Sequence, residues 1–506
     1  MKNVTAITKY GKFIGKENEL GITEFKGIPY AKTPERWKEA KKPDISEDEF
    51  ETFEFSPMGI QPYWLEECSP GDLQTEDCLK LNICSANIDE KGKPVMVFIH
   101  GGCYITGNPA FPAYYGDRLV AENPDIVFVN FSYRMGLFGS MDLSSIDTEG
   151  RYKGSINLTT KDQIMALEWI KENIEAFGGN PNNILLFGQS AGSYTISTLM
   201  TVPKAVKLFN KGICESGVFD DNSINSLERA GEMGRWFIEK AGIKSVDDID
   251  KLDVDMLREL DEEMFRAFPL AYSPVRDGEL IPFDTFGAFA DGVGRDIKLM
   301  IGNTEGDGER LVSDNPEDHR QRALKTVHPD VLTEETLERF VANDPERLRI
   351  MAYQEAVTDV RYRLPATMLA EQHCKYNDVY FYMWQWCAEG YPTRAPHCIE
   401  LPFIMDKLDN NLCLFIEHGT VQGKNPPKKL QKAVQAAWTN FARYGTPNGA
   451  GLEVRWPKYD IGKRPVMIIN EKWHVEYDYR KKDRELFMPL YPEMKRFGFS
   501  NAKEGK

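Results

Sequence analysis

The sequence predicts a protein of the α/β class, with a mostly parallel central sheet, helices on both faces and large helical insertions. Three observations predict it. Short apolar runs recur along the chain and are continuous rather than alternating, as expected of strands buried on both faces. Segments with helical spacing lie between those runs, and strands alternating with helices build parallel sheets. The 506 residues, 42% hydrophobic and 28% charged, suffice for a large core and are too apolar for a disordered chain.

Taken in order, Val95–Ile99 and Ile126–Phe131 read as buried strands. A helix follows over 160–177, with Ile164, Leu167, Ile170, Ile174 and Phe177 on one stripe. Thr159 or Thr160 is placed to cap its start, and Gly178-Gly179 to end it. Ile184–Phe187, Leu299–Ile301 and the aromatic run Val379–Trp386 are further strands. The stretches 204–295 and 305–375 are polar and helical in pattern. They read as insertions, so that 1–506 forms one α/β catalytic domain.

Charge and cysteine usage exclude several classes. Lys plus Arg number 62 against 78 Asp plus Glu, a formal charge of −16. That field repels phosphate backbones and anionic lipid, which argues against nucleic-acid and membrane partners. No run approaches the length of a membrane span. The opening MKNVTAITKYGKF lacks a secretory apolar region, so a cytoplasmic protein is expected. There are nine Cys, and the early ones (Cys68, Cys78, Cys84, Cys103) form no C-x-x-C pair. Reduced thiols and no metal site are expected.

The chemistry is carried by Gly188-Gln189-Ser190-Ala191-Gly192, a G-x-S-x-G between an apolar run and a helical pattern. A strand feeding a helix through so sharp a turn holds the middle residue in a strained conformation, exposing a serine hydroxyl at the sheet edge. Attack by that serine creates an oxyanion, which needs fixed backbone N–H donors. The turn His100-Gly101-Gly102-Cys103-Tyr104 can supply them after its strand, with the N–H of Ala191 as a further donor. Serine also needs a base. Of seven His, His100 belongs to the glycine turn, His319 and His328 lie in a charged stretch and His373 in a helical one. That leaves His397, His418 and His474, of which His397 hangs from a loop containing Pro392 and Pro396 after an apolar strand. The acid falls between nucleophile and base in the chain. Glu305 and Asp307 both follow the strand at Leu299–Ile301, with Glu309 one turn further, and spacing does not separate the first two.

Longer motifs add a resemblance. Phe25-Lys26-Gly27-Ile28-Pro29-Tyr30-Ala31, Glu76-Asp77-Cys78-Leu79-Lys80-Leu81-Asn82, the segment from Asp162-Gln163 through Trp169 to Asn180-Pro181, and Trp438-Thr439-Asn440-Phe441-Ala442 with Gly445-Thr446-Pro447-Asn448 span nearly the whole chain. Together they resemble the type-B carboxylesterase and cholinesterase family of α/β-hydrolases. The resemblance implies a serine carboxylic ester hydrolase acting on a small-molecule ester, without metal or organic cofactor. It implies Ser190 as nucleophile, His397 in His397-Cys398-Ile399-Glu400-Leu401-Pro402-Phe403 as base, and Glu305, followed by Gly306, as acid. It implies Gly102, Cys103 and Ala191 as oxyanion donors, and Ser216 as a residue that orients the acid. Adhesion proteins that lost the triad share the family, and amidases or lipases can use the same machinery. Four departures stand out. Gln189 replaces the usual Glu, which argues against choline esters. The early disulfide of the family retains only Cys78, its partner position falling near Gly59-Ile60-Gln61. The run before the first large loop is shortened to Thr33-Pro34-Glu35-Arg36-Trp37. Cys103 stands where Gly or Ala is usual.

Overall fold

The continuous apolar runs become strands with both faces covered. On the strand Lys93–Ile99, Val95, Val97 and Ile99 enter one hydrophobic cluster, while Met96 and Phe98 enter another on the opposite face. This two-residue period is what divides one strand between two cores. The structure is a computed structural model and describes residues 2–63, 73–308, 324, 329–344, 349–387, 394–408 and 427–496.

Among the described residues the main sheet has thirteen strands. Its centre is parallel, in the spatial order Val127–Phe131, Lys93–Ile99, Gly179–Gln189, Lys211–Glu215, Lys298–Thr304, Val379–Trp384, Pro465–Ile469. Lys80–Ser85, Thr23–Pro29, Gly11–Glu17 and Asn3–Thr8 extend one side in antiparallel pairing, and His474–Tyr477 closes the other. Helices come from both stretches expected to be helical: Leu227–Lys240, Val254–Ala267 and Thr285–Ala290 from the first, Glu334–Ala342, Arg349–Thr358 and Leu364–His373 from the second.

Several expectations shift by a few residues. The helix expected over 160–177 is α-helical from Leu158 to Asn173 and tightens to a 3-10 turn over Ile174–Phe177. Asn157, in the left-handed region, precedes it; Thr159 and Thr160 are buried inside its first turn and do not cap it. The strand at Ile184–Phe187 is longer, Gly179–Gln189, because pairing continues on both sides as far as the serine. Trp386 leaves its strand after Trp384, although its N–H still bonds Ile469.

The family-like motifs act as tertiary ties. Glu76 receives Arg36 through Nε and Nη2, and Asp162 is buried in a two-oxygen pair with Arg134. Among the described residues, Cys78, Cys84, Cys103, Cys214, Cys374, Cys387 and Cys398 join no disulfide; Cys68 lies outside the described residues. A Cβ placed on Gly59 would sit 3.3 Å from the Cys78 sulfur, so these two positions face each other. No helix among the described residues is long and apolar enough to cross a membrane.

Candidate active site

Ser190 occupies the joint between the strand Gly179–Gln189 and the helix Ala191–Leu199, with φ 55° and ψ −122°. A non-glycine residue held at positive φ is strained and needs surrounding support. Part of it is visible: the Ser190 N–H donates to Glu215 O at 2.9 Å, and Ser190 O accepts from Tyr194 N–H at 2.9 Å. The glycines are required by contact with the neighbouring strand. A Cβ on Gly192 would lie 1.9 Å from Ile99 O, and one on Gly188 would lie 2.6 Å from the same oxygen.

The turn after Ile99 meets this joint. A Cβ on Gly101 would approach Gln189 O at 2.8 Å and the Ser190 Cβ at 3.1 Å. Gly102 (φ 105°), Cys103 (φ 55°) and Tyr104 (φ 61°) then run in the positive-φ region, and Cys103 is exposed. Successive residues in such conformations turn backbone N–H groups toward one concavity. The strand end therefore sets Gly102 and Cys103 beside the joint that carries Ser190 and Ala191. His100 is buried, stacks on Tyr133 with ring centroids 4.4 Å apart, and is pushed down to about 4 by burial. It is a neutral packing residue.

His397 follows the strand Val379–Trp384 through a loop that is laced to the loop after Lys298–Thr304. Gly306 and Pro396 form a parallel bridge, and Gly306 N–H donates to Ala395 O at 2.7 Å. One residue past the bridge on each side, Asp307 Oδ1 lies 2.6 Å from His397 Nδ1. Asp307 is fully buried, and its carboxylate also accepts from Thr304 N–H at 2.9 Å and Thr304 Oγ1–H at 2.8 Å. Three donors thus hold the buried charge, and the histidine is fixed as the tautomer protonated at Nδ1.

The expectation that Glu305 meets the imidazole is corrected: Asp307 takes that place. The Glu305 N–H is tied back to Trp384 O, two residues before the contact. Its carboxylate points elsewhere, accepting from Tyr479 OH at 2.8 Å, Arg394 Nη1 at 3.3 Å and Gln385 Nε2 at 3.4 Å. Both acids are followed by glycine, so the local pattern that selected Glu305 fits Asp307-Gly308 equally well. Ser216 (φ 53°) is also placed differently from expectation. Its hydroxyl reaches Glu400 Oε1 at 3.5 Å, so its link is to a different buried carboxyl from the one on His397. His418, His319, His328, Glu309 and Pro392 lie outside the described residues. His474 is exposed on an edge strand and His373 bonds Ile297 O, away from this site.

Gln189 is buried against the imidazole, its Nε2 lying 3.0 Å from His397 Nε2. With Nδ1 protonated toward Asp307, the amide donates to the free Nε2 lone pair. Near the His397–Asp307 pair lie two further buried carboxyls. Burial pushes Glu215 up to about 8, while the Trp438 Nε1–H donates to its Oε1 at 2.6 Å. Burial above all, then the charges of Glu215 and Asp307, pushes Glu400 well above the usual carboxylate range. The sequence reading missed these groups and also Tyr362, whose ring centroid lies 5.4 Å from that of His397. Only the E-S-G and H-x-x-E contexts offered a local signal for the carboxyls.

Fold and serine joint together define an α/β-hydrolase of the carboxylic ester hydrolase class, and the protein is an enzyme. The chain belongs to the carboxylesterase family, whose model matches residues 2–487. It is 32% identical over 503 residues to the para-nitrobenzyl esterase of Bacillus subtilis (strain 168), covering 97% of this chain and 99% of that one. A solved PNB esterase structure matches with a TM-score of 0.84 at 30% identity, and a carboxylesterase of Geobacillus stearothermophilus with a TM-score of 0.84 at 28% identity. Each covers 96% of this chain and 99% of its own.

Proposed function

We propose that the protein hydrolyses carboxylic esters through an acyl-enzyme on Ser190, with His397 as base and Asp307 as acid. The observation that carries this reading is the 2.6 Å contact between His397 Nδ1 and a three-donor Asp307, in a loop laced to the sheet beside the serine joint. Ser190 Oγ forms a bond to the acyl carbon as its proton passes to His397 Nε2, and the carbonyl π pair becomes the oxyanion. The N–H groups of Gly102, Cys103 and Ala191 hold that oxyanion. Collapse expels the alcohol, which takes the proton from Nε2. Water then repeats the sequence, returning Ser190 and releasing the acid. Asp307 keeps the imidazole in the productive tautomer and favours the imidazolium form in both steps. Protein groups and water complete both half-reactions. Gln189 must yield the Nε2 lone pair before the serine can use it, and its neutral amide argues against a site built for cationic alcohols.

Ser190→Ala tests the reading. Hydrolysis of 4-nitrophenyl butyrate should fall by roughly 10⁴ to 10⁶ in kcat, and labelling by a fluorophosphonate should vanish. Undiminished turnover by the variant would remove Ser190 from the chemistry.

A further inference from the structure

The turn Asp359–Arg363 is a π-helix inserted between two α-helices. Such turns are rare and gather at functional sites. This one brings Tyr362 to His397, and Arg361 lies next to it, its Cζ 5.7 Å from the Tyr362 ring centroid. The other electrostatic neighbours of Arg361 include Tyr194, one turn beyond Ser190, and Cys103 of the glycine turn. Residues from each of the three pieces of the site therefore lie within electrostatic reach of the guanidinium.

The two arginines of this turn differ in their partners. Arg363 Nε donates to Asp359 Oδ1 at 2.6 Å. Arg361 makes no ion pair among the described residues, and its Nε is sealed from solvent without a hydrogen-bond partner. The buried Tyr194 hydroxyl faces the guanidinium but makes no hydrogen bond of ordinary geometry, to it or to another side chain. Burial pushes Tyr194 up to about 12 and Tyr362 well above the usual range, so both phenols stay neutral at working pH. Arginine does not lose its proton. A largely enclosed cation that no described carboxylate pairs is costly unless an anion completes it. The residue as a whole keeps partial exposure, which leaves it accessible.

We propose that Arg361 is a specificity-determining residue that binds a carboxylate carried by the substrate. The preferred substrates are then anionic esters, either half-esters of dicarboxylic acids or esters of a carboxylate-bearing alcohol or phenol. The inference rests on the esterase reading and deepens it. A charge-assisted pair with arginine also rejects the uncharged analogue, because the analogue leaves the cation unpaired.

Two matched pairs test it. 4-Nitrophenyl hydrogen adipate is compared with 4-nitrophenyl hexanoate for an acyl-side anion, and 4-acetoxybenzoate with its methyl ester for an alcohol-side anion. The wild-type enzyme should prefer the anionic member of one pair in kcat/KM by about tenfold or more. Whichever pair shows the preference identifies the side. In Arg361→Met the ratio of anionic to neutral kcat/KM should collapse to near one or below, while Arg361→Lys should retain part of it. Turnover of the neutral esters with no anionic preference in either pair would overturn this inference alone. A preference that survives in Arg361→Met would also overturn it. Failure of the enzyme to turn over any of the four would overturn it together with the esterase reading.

Discussion

Asp307 carries its charge to a place without solvent contact because Thr304 supplies both a backbone and a hydroxyl donor and His397 a third. Asp307→Asn preserves the shape but offers an amide where the imidazole N–H needs an acceptor, which favours the wrong tautomer. Its kcat should fall by roughly 10² to 10⁴. Glu305→Gln, which among the described residues alters the Tyr479, Gln385 and Arg394 contacts, should stay within about threefold of wild type in kcat. Steady-state kinetics on one neutral ester checks both, and the opposite ranking would return the acid to Glu305. The strand–serine–helix joint and the loop that carries His397 were legible in the chain because each sits in a local pattern, the second a proline-flanked loop after an apolar strand. The carboxylate that meets the imidazole was not, because two carboxylates of similar reach follow one strand. The choice between them is made by the Gly306–Pro396 bridge, a contact ninety positions apart in the sequence. Arg361 and Tyr362 were hidden for a related reason: nothing local marks a π-turn inside a helical pattern.

At the scale of elements, the strand–helix joint works because two strands touch it with almost no clearance. The Gly192 backbone lies so near Ile99 that a methyl group there would overlap a carbonyl oxygen. Relief requires moving one backbone against another, since no flexible side chain can yield. Gly192→Ala should therefore destabilise the protein by about 3 kcal/mol or more in urea unfolding, and fluorophosphonate labelling should fall with it. A variant as stable as wild type would show that the joint is looser than these distances require. The parallel order of the central strands was legible from their continuous apolar runs. The antiparallel extension from Asn3 to Pro29 was not, because those strands mix exposed and buried positions and carry Lys and Glu among them. The start of the helix after Asn157 was misplaced because its threonines are buried within its first turn.

Across the whole molecule, buried carboxyls set the response to pH. Burial raises Glu215 to about 8 and Asp261 to about 7, so the folded state holds protons that the unfolded chain releases near the ordinary carboxylate range. Their contribution to stability is full below that range and is lost as pH rises through about 7 to 8. Melting temperature should accordingly decline from pH 6 to pH 9. Glu215→Gln, which keeps an acceptor for Trp438 and has no proton to lose, should show a shallower decline. Parallel curves for the two proteins would exclude Glu215 as a contributor.

Those same interior protons alter how the enzyme looks from a distance. The formal charge of −16 treats every carboxyl as ionised. Glu215, pushed up to about 8, is mostly protonated at pH 7, and burial pushes Glu400 in the same direction, so electrophoretic mobility and the counterion cloud should reflect a body less anionic than its composition suggests. An incoming negatively charged ester meets that softened repulsion before it meets any single side chain.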